Sequence, residues 1–127
     1  MQMLIRERKL VCRVGLVGKR LRVFEDALID TGAAFTVIPP EVADFLELET
    51  DRNLPRVRLV TASGLMEAPV RILESLEVAD IRTGRLQVVA HRIPDPAPIK
   101  ILLGMNLIER MKLHVDGKKD RFSLQDP

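Results

Sequence analysis

An acidic residue stands at the end of an apolar run and is followed at once by a turn of small residues. The run Ala27-Leu28-Ile29 leads into Asp30, and Thr31-Gly32-Ala33 comes next. Since a carboxylate is costly beside apolar side chains, its placement there indicates a functional site. The structural alternative is an Asp that caps a turn before a glycine. Asp-Thr-Gly occurs once in the 127 residues.

The segments on both sides of Asp30 have the two-residue period of β-strands. Alternation over residues 10–17 predicts one strand, and residues 21–29 predict a second that enters the core just before the acid. A short apolar strand at residues 35–38 follows the turn. Pro40 is then expected to open an amphipathic helix that ends near Glu49.

Downstream, the pattern predicts a β-hairpin at residues 56–73. Alternating residues precede and follow the turn Ala62-Ser63-Gly64, and Pro69 is compatible with an edge position only. A second hairpin is expected between residues 76–79 and 86–93. A third turns at Asp116-Gly117.

The apolar sequence Leu102-Leu103-Gly104 precedes a predicted short helix at residues 105–110. Together with the turn at Asp30, it resembles the retropepsin-like (retroviral-type) aspartic proteases. In that family an apolar pair, Asp-Thr-Gly, a small residue and a hydroxyl-plus-aliphatic run follow one another, and an aliphatic-aliphatic-Gly element lies downstream of a hairpin. The resemblance covers roughly residues 10–124. It implies an all-β fold, a closed acid-protease barrel with two short helices, in one domain spanning residues 1–127.

The single Asp-Thr-Gly constrains the mechanism that this resemblance implies. Carboxylate-driven peptide hydrolysis takes two carboxylates that share one proton and activate one water. One copy of this chain supplies one such acid. The resemblance therefore implies a two-fold homodimer, with the active site on the axis and a peptide or protein as substrate.

The resemblance also assigns roles to individual residues. Asp30 would supply one catalytic carboxylate, and Thr31 would reach across the axis to the partner loop. Gly32 would let the two loops approach, and Ala33 would line the subsites. Leu103 and Gly104 would support the site from the neighbouring strand.

In this family the hairpin after the Asp-Thr-Gly turn is a mobile flap over the substrate. By resemblance, the backbone of Ala62, Ser63 and Gly64 would bind an extended peptide in the manner of an added strand, with cleavage between hydrophobic residues. An ordinary meander hairpin is the alternative interpretation of these residues.

The chain departs from many retroviral members at two points. Ala34 stands where those enzymes carry a further carboxylate, and Met105 and Asn106 follow Gly104 where they carry an arginine. Dimer stability must then come from elsewhere, and the C-terminal hairpin is a candidate. A dimeric peptide-binding module of the same fold that hydrolyses poorly remains an alternative function.

Composition disfavours several other classes. Twenty basic and eighteen acidic residues are interspersed, with no Trp or Tyr for base stacking, so a nucleic-acid-binding β-barrel is a weak alternative. Cys12 is expected in a buried strand, and His91 and His114 have no metal-ligand spacing, so no metal or cofactor is predicted. With no export signal and no membrane-spanning run, the expected location is cytoplasmic, without membrane contact.

Overall fold

The computed structural model describes residues 2–61 and 64–127, which form thirteen strands and two short helices. The strands are β1 (Gln2–Leu4), β2 (Val11–Val17), β3 (Arg22–Ile29), β4 (Thr36–Ile38), β5 (Glu49–Thr50), β6 (Arg56–Thr61), β7 (Gly64–Leu73), β8 (Ser75–Val78), β9 (Ile81–Thr83), β10 (Leu86–Ala90), β11 (Leu102–Leu103), β12 (Lys112–Asp116) and β13 (Arg121–Gln125). The helices are α1 (Pro40–Phe45) and α2 (Met105–Ile108). The predicted predominance of β structure and the two short helices are confirmed.

The larger sheet is an open path of strands. Its order is β5-β7-β10-β4-β11-β3-β2-β8-β9, and β6 pairs with β7 outside this path. The prediction of a closed barrel was wrong in this respect. Among the described residues, the end strands β5 and β9 are two and three residues long and each pairs with one neighbour, which leaves the path unclosed.

The predicted pairing of residues 76–79 with residues 86–93 was also wrong. The chain turns back directly after β8, because Ala79 and Asp80 adopt positive φ angles of 50° and 66°. Strand β9 therefore pairs with β8, with Val78 opposite Ile81. Strand β10 instead lies antiparallel to β7 and parallel to β4, which brings it beside the strand that follows the Asp30 turn.

The hairpin of β6 and β7 is present at the predicted place, with Arg56 opposite Pro69. Strand β7 is paired differently on the two sides of this proline. Its first half, up to Pro69, pairs with β6, whereas its second half lies between β5 and β10. Pro69, which lacks an N–H group, thus stands just before the pairing with β10 begins.

Two hydrophobic clusters fill the interior. The larger one lies between the main sheet, the helices and the C-terminal strands, and its fully buried members include Leu103, Leu107 and Phe122. The smaller one consists of Val37, Ala68, Val70 and Val89, with half-buried Phe35, Leu54, Val57, Leu59, Ile93 and Leu102 packed against it. This smaller cluster joins the base of the β6–β7 hairpin to the strands beside Asp30.

The two ends of the chain pair with each other. Strand β1 lies antiparallel to β13, with Met3 opposite Phe122, and β12 pairs with β13 through the turn that follows Asp116. The predicted C-terminal hairpin is therefore confirmed. It forms the centre and one edge of a three-stranded sheet in the order β1-β13-β12.

Helix α1 begins at Pro40 as predicted but is shorter than expected. It ends at Phe45, since Leu46 is the C-cap and Glu47 has a φ of 55°. In the ranges that the structure describes, no helix is long and apolar enough to span a membrane.

Candidate active site

Asp30 directly follows β3, beside the strand β11 that lies between β3 and β4. Strand β11 runs parallel to β3, with Leu103 opposite Ile29, and pairs on its other side with β4. The Asp30 backbone N–H donates to the Leu103 carbonyl at 2.9 Å. Asp30 is thereby held next to the buried end of β3, while Asp30 itself remains half-buried.

The turn after Asp30 is closed by the acid itself. The Gly32 N–H donates to Asp30 Oδ1 at 2.9 Å, and the Ala33 N–H donates to the Asp30 carbonyl at 3.2 Å. The turn-capping interpretation is thus realised for one carboxylate oxygen. Within residues 2–61 and 64–127, the other oxygen, Oδ2, accepts no hydrogen bond. One oxygen is oriented by the turn, and the second is available to a ligand.

Gly104 is required by the close approach of α2 to this turn. A Cβ built on Gly104 would lie 2.4 Å from the carbonyl carbon and oxygen of Phe35 and 2.9 Å from the Ala33 carbonyl oxygen. The Met105 N–H also donates to that Ala33 carbonyl, at 2.7 Å. The first residues of α2 therefore bind the backbone of the Asp30 turn directly, and only a glycine fits between them.

Asn106 makes further contacts to the same turn, and the sequence interpretation did not assign it a role. Its Oδ1 accepts from the Thr36 N–H at 2.8 Å and from Thr36 Oγ1 at 3.0 Å, and its Nδ2 donates to the Gln87 carbonyl at 2.7 Å. Thr36 is fully buried, and its Oγ1 accepts from the Gly104 N–H at 3.2 Å. An amide is needed here because it donates and accepts at once. The available sequence signal was a polar residue in an otherwise apolar helix.

A cleft of about 730 Å³ opens beside Asp30. Its walls come from the Asp30 turn, from the β6–β7 hairpin and from the segment after β10. The lining residues are Asp30, Gly32, Ala33, Ala34, Phe35, Val37, Arg58, Leu59, Val60, Met66, His91, Arg92, Ile93, Pro94 and Leu102. Most of this lining is apolar, and several of these side chains belong to the smaller hydrophobic cluster or pack against it.

The predicted site residues divide between this cleft and its surroundings. Asp30, Gly32 and Ala33 line it, and Thr31 is exposed next to it. Leu103 is fully buried behind the turn. Gly64 begins β7 at the far end of the hairpin. Ala62 and Ser63 lie outside the described residues.

Other candidate chemistry is located away from the cleft. Cys12 is a buried thiol in β2, and burial, followed by the nearby Asp26 charge, raises its pKa to about 12. The prediction of a buried strand cysteine is thereby confirmed, and a thiolate nucleophile is disfavoured. Among the residues that the structure describes, no cluster of three or more His, Cys, Asp or Glu side chains is arranged to hold a metal ion.

Residues 13–107 match the family model described as aspartyl protease. The chain belongs to the aspartyl protease family. No curated protein sequence matches it significantly. The solved structures similar to this aspartyl protease family member include a retropepsin-like aspartic protease from Rickettsia conorii, with a TM-score of 0.70, 21% identity, and coverage of 99% of this chain and 89% of that one.

The protease of Simian Foamy Virus (mac) is a second similar structure, with a TM-score of 0.52, 19% identity, and coverage of 79% of this chain and 92% of that one. At these identities the structures show the fold, which is retropepsin-like. The predicted family is confirmed, and membership in it supports a protease-type function for the chain.

Proposed function

We propose that this chain is an aspartic endopeptidase in which Asp30 supplies one of two catalytic carboxylates. The observation that carries this proposal is the position of the Asp30 side chain. It lines an apolar cleft of about 730 Å³, one oxygen accepts the Gly32 N–H, and no group within the described chain occupies the other oxygen. A carboxylate held by one oxygen keeps its second oxygen for a water molecule.

The chemistry requires a second acid. One carboxylate takes a proton from the water as it attacks the peptide carbonyl, while a protonated carboxyl donates to the carbonyl oxygen. Among the described residues that line the cleft, Asp30 is the one acid. We therefore infer a homodimer in which each protomer contributes Asp30 and the two side chains share one proton.

Exposure of the turn supports this arrangement. The side chain of Thr31 is exposed and makes no hydrogen bond to any described residue, so it is available to a partner loop. Gly32 is exposed as well, and its missing side chain leaves room for close approach of two backbones. Further surface is available on the terminal sheet, where Leu4 is 65% and Val115 is 48% exposed on the two edge strands.

The cleft favours an extended peptide with apolar side chains. Part of its wall is formed by Leu59, Met66 and Ile93. Transfer of hydrophobic substrate side chains from water to this wall is favourable. In the proposed function the β6–β7 hairpin is the flap, and the backbone of Ala62, Ser63 and Gly64 pairs with the substrate as an additional strand does.

Hydrolysis of a mixed peptide library from pH 4 to 7 tests the proposal. Asp30→Asn should lower turnover by at least about a hundredfold, the usual loss for a missing general base, without changing the oligomeric state. Asp80→Asn is the matched control, because Asp80 is exposed in the turn between β8 and β9. Wild-type activity per chain should rise with protein concentration until the dimer saturates.

Undiminished turnover in Asp30→Asn would reject Asp30 as the catalytic acid. Activity proportional to concentration in a protein shown to remain monomeric would reject the shared pair. A confirmed dimer that binds peptides without cleaving them would instead identify the chain as a peptide-binding module.

A further inference from the structure

A second acid, Asp51, is buried at the base of the β6–β7 hairpin. Its residue is 6% exposed, and it lies in the segment that connects β5 to β6. Its Oδ1 accepts from the Asn53 N–H at 2.9 Å and from the Leu54 N–H at 3.3 Å, and its own N–H donates to the Val70 carbonyl at 3.0 Å. The carboxylate thus fixes the turn that leads into β6.

The other oxygen of Asp51 reaches a different strand. Gln87 Nε2, on β10, donates to Asp51 Oδ2 at 2.6 Å. This hydrogen bond is the largest cause of a lowered Asp51 pKa; the Asn53 and Leu54 N–H groups and the Arg85 charge act in the same direction, and burial acts against them. The surroundings of Asp51 therefore stabilise its ionised form.

Gln87 also contacts the support of the Asp30 turn. Its carbonyl accepts from Asn106 Nδ2 at 2.7 Å, and Asn106 Oδ1 accepts from the N–H and the hydroxyl of Thr36. One continuous path of hydrogen bonds therefore runs from the hairpin base through β10 and α2 to the strand that follows Asp30.

This path bears on the position of β6, because β6 pairs with β7 alone. No strand on its other side sets the position of β6 among the described residues. Its position over the cleft depends on its base, where Asp51 binds and where the Val70 N–H donates to the Pro55 carbonyl at 2.9 Å.

We propose that Asp51 and Gln87 are positioning residues that set the height of the β6–β7 hairpin above the Asp30 turn. For its effect on catalysis this inference rests on the proposed function. The effect on the hairpin itself does not, because the hydrogen bonds exist whether or not the chain cleaves peptides.

Adding a second negative charge tests the role of the pair. Gln87→Glu places a second carboxylate against Asp51 and leaves the backbone contact to Asn106 intact. The two acids can share one proton at low pH and repel each other once that proton is lost at higher pH. We expect KM for a cleaved peptide to rise about tenfold at pH 7, the size expected for losing a hydrogen bond to a charged group, with a smaller rise at pH 4 and a nearly unchanged kcat.

The double variant Asp51→Asn with Gln87→Glu reverses donor and acceptor, because the amide introduced at position 51 donates to the carboxylate introduced at position 87. It should restore KM to within about threefold of wild type, since the hydrogen bond to a charged group is re-formed. Leu21→Glu is the control, because it adds a carboxylate at a residue that is 40% exposed and does not line the cleft; it should leave KM unchanged.

Amide hydrogen exchange of β6 gives a second measurement that needs no hydrolysis. Gln87→Glu should speed exchange in β6 at pH 7 and leave β2 unchanged, and the double variant should slow it again. If Gln87→Glu fails to fold, Gln87→Met removes the same donor with similar shape and is tested in the same way.

Equal KM and equal β6 exchange in wild type and Gln87→Glu would overturn the inference. A double variant no better than Gln87→Glu would overturn it too. If the wild-type protein cleaves no peptide, the proposed function fails, and the β6 exchange alone decides the role of the pair.

Discussion

The two sides of the cleft are built differently. On the loop side, comprising residues 30–36 and α2, backbone and side-chain groups are paired at short distances, and Thr36 and Leu107 are fully buried. On the hairpin side, comprising β6 and β7, Val60 is 85% and Leu65 is 70% exposed. The acid is thus held by buried, hydrogen-bonded contacts, whereas the end of the hairpin opposite it buries little of its side-chain surface.

This contrast predicts that stability responds to changes on the loop side and that substrate binding responds to changes on the hairpin side. The largest expected effect follows from Gly104→Ala. Its Cβ would lie 2.4 Å from the Phe35 carbonyl, which is backbone and has no room to yield. We expect a loss of roughly 3 kcal/mol in the free energy of unfolding, measured by urea denaturation.

Gly84→Ala is the matched control for Gly104→Ala, since a Cβ on Gly84 meets nothing within 4 Å. It should change the free energy of unfolding by less than about 1 kcal/mol, in either direction. Equal effects at the two glycines would show that the contact between α2 and the Asp30 turn contributes little to stability.

Asn106→Leu should have the next largest effect. It removes the acceptor of Thr36 and the donor to the Gln87 carbonyl and leaves polar groups unpaired in a largely buried site. The expected loss in the free energy of unfolding is about 2–4 kcal/mol, together with reduced hydrolysis because the Asp30 turn loses its support.

The other asparagine of the chain provides the control for Asn106→Leu. The Asn53 side chain is exposed, so Asn53→Leu should change the free energy of unfolding by less than about 0.5 kcal/mol. A loss below about 1 kcal/mol in Asn106→Leu would contradict the supporting role that we assign to this amide.

The loop side was also the part that the sequence predicted best, because its signals are local. Asp30 after an apolar run, a turn at Gly32 and a glycine before α2 each follow from neighbouring residues. Asn106 was not assigned because its partners, Thr36 and Gln87, are distant in sequence and only the fold brings them together.

Strand pairing was less predictable for the same reason. Alternation of apolar and polar residues identified β8 and β10 as strands but does not specify which strands they pair with. The positive φ angles at Ala79 and Asp80 form a tight turn, which pairs β8 with β9. The closed barrel was inferred from family resemblance, and the short end strands β5 and β9 leave the sheet open. Residues 62 and 63, to which the resemblance gave backbone roles in the flap, lie outside the described part of the chain.

The smallest effect on stability is expected on the hairpin side. Val60 and Leu65 are paired opposite each other near the end of the hairpin, and both are mostly exposed. Replacing both by serine removes little buried surface, so the free energy of unfolding should change by less than about 0.5 kcal/mol. Val60 lines the cleft, however, and KM for an apolar peptide should rise severalfold, by roughly threefold to tenfold, because the substrate loses apolar contact.

Leu21→Ser is the control for the hairpin variant, because Leu21 is 40% exposed and does not line the cleft beside Asp30. It should leave KM unchanged. A hairpin variant that loses more than about 2 kcal/mol of stability would mean that its end packs against another part of the molecule or against a partner protomer. An unchanged KM would mean that substrate does not contact Val60. Either result would remove the difference between the two sides of the cleft, and the second would also remove the hairpin from the proposed peptide-binding surface.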